Sequence, residues 1–570
     1  MSITLGRPVE IEDRPRSGRR RAVWLAAGVV VLGVVLVGRI GRFGFNPTDQ
    51  GFVLAQSWRL LHGELPHADF TSPRPLGSAV LHMVDFVVPA PLFVSSSFVM
   101  MVELTVATIA MAALLTRTRP TAWGPSRLGL VAAATMVNLH TYPLMAWHTV
   151  DGVFLVATGL WAVDSGKRRT GFFLLGFAVI VKQSFAPALV LGLLLVMLHP
   201  AKRQWQRIGV DLLFLAAAPL SYYVLIGGGF PAAKEQLTTA TGTWGERLLE
   251  IADTASIVQA AVVLAVLAGV WLARERLGSA GLWLRIALGV GVAAITVSVV
   301  VRGHLAHAGD WSITLLWIFV AAAAADAVIQ RHFPWRYLAV AALAWMASLS
   351  WGYPYPGLVA GSMALGTLEV LARTVDLRAR WAEALGPIAA VLVALQLVNA
   401  HDAAPYADRP QARLTHDLGD ISPSLLWVRT NPSVHAYLAQ LRDCVAQFPA
   451  TKVAIMPDNA FAYPALGLHN PFPMDWVLPM EVVGDTEQRM LDTIGELNRD
   501  GDYLVLFQTV TAQALAAGAP VPASVPAETR PAYHTGLEER ILDRLTGQRI
   551  TCGNFVGVYS ARRATSDPAP

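Results

Sequence analysis

Asp49, in NPTDQG, stands a few residues beyond the apolar run Ala22–Ile40, which is long enough to cross a bilayer. An ionised carboxylate at a membrane face can take the proton of an acceptor hydroxyl or amine as general base. Asp is equally a favoured helix N-cap, and Thr48 and Asp49 precede a helical pattern. Within that pattern Val53, Leu54, Trp58, Leu60 and Leu61 form an apolar face, with Arg59 and His62 as its polar members; Gly63 and Pro66 end it. An amphipathic helix lying at the membrane boundary is expected. Asp69 and Arg74 flank FTSP and could pair with each other. Arg74, however, sits between two prolines, and a guanidinium on so stiff a segment suits bidentate contact with a phosphate. Lys182 and Gln183 follow a short apolar segment in VIVKQSF, where a snorkelling lysine is the plain alternative to anion binding. His148 and Asp151, in AWHTVDG, open another apolar run as an acid–base pair or a cap. Arg302, His304, His307 and Asp310 cluster in RGHLAHAGD. The histidine spacing would allow metal ligation on a helical turn, but the glycines argue for a loop and no third ligand stands out. Contact of Arg302 and His304 with phosphate or sugar is the expectation; a divalent metal is compatible with the sequence but not indicated by it, and no cofactor is expected.

These residues need membrane helices to position them. Of 570 residues, 54% are hydrophobic and 15% charged, where a soluble chain carries about 25% charge; mean hydropathy is +0.47. About thirteen apolar runs can be drawn: Ala22–Ile40, Ala90–Leu115, Arg127–Tyr142, Val150–Val163, Gly171–Val181, Ser184–Leu198, Ile208–Ile226, Ser256–Ala273, Gly281–Val301, Trp311–Ile329, Tyr337–Trp351, Gly357–Ala372 and Ala384–Asn399. The shorter ones would have to tilt or kink. Loops after the even-numbered runs hold Arg117, Arg119, Arg127, Lys167, Arg168, Arg169, Lys202, Arg203, Arg207, Arg274, Arg276, Arg285, Arg331, Arg336, Arg373, Arg378 and Arg380, which places them in the cytoplasm. Arg59, Arg74, Lys182, Lys234, Arg247 and Arg302 fall on the other side, where binding an anion would account for them. A basic, disordered cytoplasmic arm is expected over 1–21, a transmembrane domain over 22–399 with a first extracytoplasmic loop at 42–89, and an extracytoplasmic domain over 400–570.

That last region has period-two apolar runs at Lys452–Met456, Tyr503–Phe507 and Phe555–Tyr559, separated by helical patterns, and reads as an α/β domain with a loose tail. The only cysteines, Cys444 and Cys552, both fall in it, and a disulfide suits an oxidising compartment. There is no Walker loop, no GxGxxG opening a βαβ unit and no GxSxG elbow. Nucleic acid is not an expected partner; the bilayer is.

An acid in the first outer loop, amphipathic helices, a Pro-rich basic turn and about thirteen spans resemble the GT-C superfamily of membrane glycosyltransferases. The likeness is to the branch containing the protein O-mannosyltransferases and the aminoarabinose transferase acting on lipid A. The resemblance implies that Asp49 is catalytic, since that branch has its catalytic acid just after the first span. SPRP is similar to a motif with a basic residue beside paired prolines, without the usual Lys-Pro-Pro order, and implies Arg74 as a phosphate contact. GFAVIVKQSF resembles the span bearing a lysine near the donor phosphate, which implies Lys182. YPALGLHNPFP resembles a tyrosine, short turn and Asn-Pro motif of such chains. The implied donor is a polyprenyl-phosphate monosaccharide and the implied acceptor an envelope glycan, lipid or protein, met at the extracytoplasmic face of a bacterial plasma membrane. Two other classes compete. A transporter or flippase of lipid-linked sugars predicts polar residues at mid-span and broken helices in matched positions; Glu103 and Asp326 are the main mid-span acids. A non-catalytic envelope-assembly scaffold would leave Asp49 replaceable.

Overall fold

The computed structural model describes residues 15–139, 144–198, 205–239, 252, 254–273, 278–306, 309–350, 353–375, 382–532 and 536–562. Every one of the thirteen apolar runs contains a helix. They are Pro15–Leu36 (continued by Val37–Gly41), Leu92–Thr116, Pro125–Leu139, His148–Asp164, Arg168–Val179, Pro187–Leu198, Trp205–Ile226, Thr254–Ala273, Gly278–Ala306, Trp311–Gln330, Trp335–Ser348, Gly357–Val375 and Ala382–Ala403. An apolar run in lipid has no partner for its backbone polar groups except itself, which is why it coils. Among the described residues, five stretches are long and apolar enough to cross a membrane: Arg19–Gly41, Leu92–Thr116, Gln206–Ile226, Trp311–Val328 and Leu385–Ala403.

The first helix starts at Pro15, so the latter part of the basic arm expected to be disordered is helical instead. Proline is at home in a first turn because its missing N–H would have been unpaired there. Residues 1–14, the loop cations Lys202, Arg203, Arg247, Arg274, Arg276, Arg378 and Arg380, and the tail 563–570 lie outside the described residues.

Four ties gather helix ends from separate parts of the chain at one end of the bundle. Arg168 pairs with Asp211 at 2.6 Å, Arg127 with Glu369 at 3.0 Å and Arg336 with Asp164 at 2.7 Å. Arg117 reaches His332 at 2.7 Å. These are ends that the arginine pattern assigned to one side. The middle of the bundle is a continuous apolar core that includes Met100, Leu104, Met111, Val153, Leu160, Phe319, Leu343 and Met363.

At the opposite end sits the C-terminal domain, beyond Ala403. Its sheet runs β3 (Lys452–Met456), β4 (Gly501–Gln508), β6 (Phe555–Arg562), β5 (Gln548–Cys552); β3 and β4 are parallel and the other pairs antiparallel. A shorter ladder joins β1 (His416–Asp417) to β2 (Arg429–Thr430). Alternation along the strands is two-sided. Val453, Ile455, Leu504 and Leu506 face the helix Pro432–Gln447, while Ala454, Met456, Val505 and Phe507 face Thr486–Asp500 and Leu537–Arg544. Cys444 and Cys552 are joined, with Cα atoms 5.8 Å apart, tying the end of Pro432–Gln447 to the end of β5. In the chain-entropy picture a closure of this length contributes on the order of 4–5 kcal/mol.

The loop after the first helix, residues 42–89, is stitched to this domain. Gly44 N–H donates to the Arg429 carbonyl (2.8 Å) and Arg429 N–H to the Arg42 carbonyl (2.8 Å). Phe45 packs edge-on against Phe461, with ring centroids 5.1 Å apart.

Candidate active site

Asp49 is held by a turn that its own neighbours close. Asn46 Oδ1 accepts from Thr48 N–H at 3.0 Å, and the Asn46 amide donates to Asp49 Oδ2 at 3.1 Å. The following helix, Phe52–Leu61, is not capped by Asp49: its N-cap is Gly51, at φ 88°, with no side-chain cap. A Cβ on Gly51 would lie 2.6 Å from the Phe461 Cα, so only glycine allows both this backbone and this docking. The capping reading is therefore replaced. The Asp49 carboxylate turns to Tyr406, whose hydroxyl donates to Oδ2 at 2.6 Å. Tyr406 is bonded in turn to Tyr353. Both bonds to Asp49 fall on Oδ2, and among the described residues none falls on Oδ1. Burial raises the Asp49 pKa above the ordinary carboxylate range, the Tyr406 hydrogen bond pulls it back, and the Asp458 carboxylate pushes it up. Burial also lifts Tyr353 to about 12, so it stays a neutral donor.

Asp49 lines a cavity of about 210 Å³ together with Arg74, His148, Lys182, Tyr353 and Tyr406; Phe52, Trp147 and Trp476 supply aromatic wall. Phe52 stacks on Trp476 at 4.5 Å and on His148 at 5.3 Å. Lys182 is buried, its ammonium donating to Ser350 Oγ at 2.8 Å and Thr149 Oγ1 at 3.1 Å. Arg74 is brought beside it by the Pro-rich segment. Gly77 N–H donates to the Ile180 carbonyl at 2.8 Å, and a Cβ on Gly77 would lie 2.5 Å from that oxygen. The Gln183 amide donates to the Pro73 carbonyl. Gln183 thus clips the loop to the helix end that carries Lys182. Arg74 does not pair with Asp69; it makes a bidentate pair with Glu481, at 2.5 and 2.7 Å.

The other sequence-predicted site residues do not line this cavity. Arg59 is not on an exposed polar face but buried, donating to both oxygens of Asp475 at 2.7 Å, to Glu64 at 2.6 Å and to the Phe472 carbonyl at 2.6 Å. The helix Phe52–Leu61 packs its Phe52, Val53, Leu54 and Ala55 into the apolar cores of bundle and C-terminal domain, and Leu61 is left exposed. Asp475 stands two residues after YPALGLHNPFP, whose Asn470 amide also holds it at 2.8 Å, so that motif acts here as a latch for Arg59. His62 is exposed and bonds the Trp58 carbonyl at 2.8 Å. Asp69 is exposed and accepts from Leu65 N–H at 2.6 Å. Asp151 is wholly buried against His82, at 3.2 Å. Arg302 is exposed near the end of Gly278–Ala306, and Asp310 caps Trp311, accepting its N–H at 3.0 Å. The His304 side chain and His307 lie outside the described residues. Sequence reasoning missed Tyr353, Tyr406, Trp476 and Glu481. A signal existed only for Tyr353, which YPYP sets directly before a proline that restricts its backbone to extended conformations.

Removing the Tyr406 hydroxyl takes away the bond that lowers the Asp49 pKa. The base form exists above that pKa, so in Tyr406→Phe the acid limb of a pH–rate profile should move to higher pH. A profile unchanged from wild type would show that the Tyr406 bond does not tune Asp49.

No protein-family model matches the chain, and no curated protein matches it. Among solved structures it matches the crystal structure of ArnT from Cupriavidus metallidurans in the apo state, at 12% identity and a TM-score of 0.36, over 95% of this chain and 98% of that one. A superposition that loose carries no argument about activity.

Proposed function

We propose that the protein is a GT-C-type membrane glycosyltransferase that moves a monosaccharide from a polyprenyl-phosphate donor to an envelope acceptor on the extracytoplasmic face. The observation that carries this reading is one cavity with an acid, Asp49, whose second oxygen has no hydrogen bond among the described residues, and two cations, Arg74 and Lys182, on its walls. In the proposed step the acceptor oxygen or nitrogen attacks C1 of the sugar. Its proton passes to Asp49 Oδ1, the C1–O bond to phosphate breaks, and the leaving phosphate keeps the electron pair. One displacement inverts C1 and needs no covalent nucleophile, unlike a carboxylate-pair hydrolysis. Charge grows on the phosphate as the bond breaks, so preorganised cations in a poorly solvated cavity favour the transition state over the ground state. The raised pKa of Asp49 makes it a better base than an exposed aspartate. Phe52, Trp147 and Trp476 offer the apolar faces against which a sugar ring stacks.

Mass spectrometry of polyprenyl lipids and envelope glycans from cells with and without the protein tests the reading. Its loss should leave a polyprenyl-phosphate sugar in excess and a glycan short of one residue; identical profiles would overturn it. Lys182→Met should lower transfer by roughly 10²–10³-fold, the range for one donor to a developing oxyanion, and weaken donor binding as well. Transfer at the wild-type rate in Lys182→Met would remove Lys182 from the phosphate site.

A further inference from the structure

A second group of ionisable residues lies apart from the cavity lining. Thr149, which holds Lys182, is two residues before Asp151 on the helix His148–Asp164. Asp151 meets His82, from the turn His82–Val87, and Glu103, from Leu92–Thr116, while Asp85 of the same turn holds the other side of the His82 ring. Their exposures are 0%, 0%, 2% and 6% for Asp151, His82, Asp85 and Glu103, so no water shell offsets their charge. His82 Nδ1 bonds Asp85 Oδ2 at 2.8 Å and Nε2 faces Asp151 Oδ1 at 3.2 Å. One ligand atom each from His82, Glu103 and Asp151 lies within 4.8 Å of the others. Glu103 Oε2, Asp151 Oδ2 and Asp85 Oδ1 are buried and accept no hydrogen bond. The imidazole supplies at most one positive charge against three carboxylates. Carboxylates buried without compensation cost several kcal/mol each.

We propose that this cluster binds a divalent transition-metal ion. Its ligands are Glu103, Asp151 and His82 Nε2, with the ion taking the place of the Nε2–Asp151 contact. Asp85 holds the Nδ1 side of the ring and fixes its tautomer, the usual carboxylate–histidine–metal arrangement. One imidazole and two carboxylates suit Zn²⁺ or Mn²⁺ better than Mg²⁺ or Ca²⁺, which prefer all-oxygen shells. The ion's two positive charges offset Glu103 and Asp151, and the third carboxylate, Asp85, is answered by the Nδ1–H of the neutral imidazole. The ion ties the first outer loop to two membrane helices next to Lys182, and this assignment does not rest on the glycosyltransferase reading.

The test uses the full chain in detergent, stripped with a chelator, incubated with Zn²⁺ or Mn²⁺ and desalted. Elemental analysis should return one ion per chain, and chelation should lower the thermal midpoint, with readdition of the ion restoring it. Glu103→Gln should lose the ion, whereas Asp49→Asn should retain it. Wild-type protein that retains no ion and melts at the same temperature with and without either metal would overturn the proposal and leave the cluster neutralised by protons. Loss of the ion in Asp49→Asn with retention in Glu103→Gln would overturn it as well, by placing the metal in the cavity. If Glu103→Gln does not fold, the stoichiometry and chelation shift of the wild type decide between the outcomes.

Discussion

Asp49→Asn should leave the protein folded and able to bind a lipid-phosphate donor, yet lower transfer by roughly 10²–10⁴-fold, the usual contribution of a general base. The substitution is close to isosteric, and an amide oxygen at the same place can still accept from the Tyr406 hydroxyl, 2.6 Å from Asp49 Oδ2. What disappears is the proton acceptor at Oδ1. Had Asp49 been a helix cap, asparagine would serve as well and the change would be nearly silent; Gly51 occupies that position instead. Donor binding should change little, because Arg74 and Lys182 are untouched. Single-turnover transfer of a labelled sugar, beside a binding measurement, separates the two effects. Normal transfer by a normally expressed Asp49→Asn protein would sink the catalytic assignment and leave a scaffold or transporter standing.

Arg59→Leu should cost about 3–5 kcal/mol, the range for removing one partner of a buried ion pair. The side chains of Arg59 and Asp475 are only 5% and 7% exposed, so solvent screens their attraction little. Without the guanidinium, Asp475 keeps its charge in a poor dielectric, and Glu64 and the Phe472 carbonyl lose a donor. Arg59→Lys should rescue only part, since an ammonium cannot meet Asp475 through two parallel bonds. Adding Asp475→Asn to Arg59→Leu should return some stability by removing the stranded charge, and the size of that return measures the coupling. The readouts are the thermal midpoint in detergent and the rate at which protease separates the C-terminal domain from the bundle. An Arg59→Leu protein with wild-type midpoint and protease resistance would show that the pair contributes nothing to docking.

The membrane helices were legible because an apolar run in lipid has one way to satisfy its backbone, and the sheet because two-fold alternation marks a strand packed on a face. Arg74 and Lys182 were legible as cations on the side of the chain where the arginine pattern leaves few, and both line the cavity. Arg59 carried the same signal, and the inference misplaced it: a cation beside a membrane can be answered by the protein's own Asp475, more than four hundred residues away. Tyr406, Trp476 and Glu481 reach the first loop across similar distances, and no local spacing encodes such a meeting. Asp151 was read as half of an acid–base pair with His148 or as a cap, whereas it is buried against His82 and away from the cavity. Its partners, His82 and Glu103, come from other elements, so its cluster was invisible until the helices were packed.

The Arg74–Glu481 pair has a consequence for binding. Arg74 belongs to the loop between the first two membrane helices and Glu481, 3% exposed, to the C-terminal domain. An anion that takes the Arg74 guanidinium must first dismiss this resident carboxylate, and it strands Glu481 while doing so. Anion affinity and the seating of the domain on the bundle are then two readings of one equilibrium, and by linkage each changes the other by the same factor. Glu481 acts as a placeholder ligand: it keeps the empty protein near electrical neutrality at Arg74 and sets a threshold that a weakly charged intruder does not pass. Its displacement would also carry the occupancy of Arg74 to the C-terminal domain, to which Glu481 belongs.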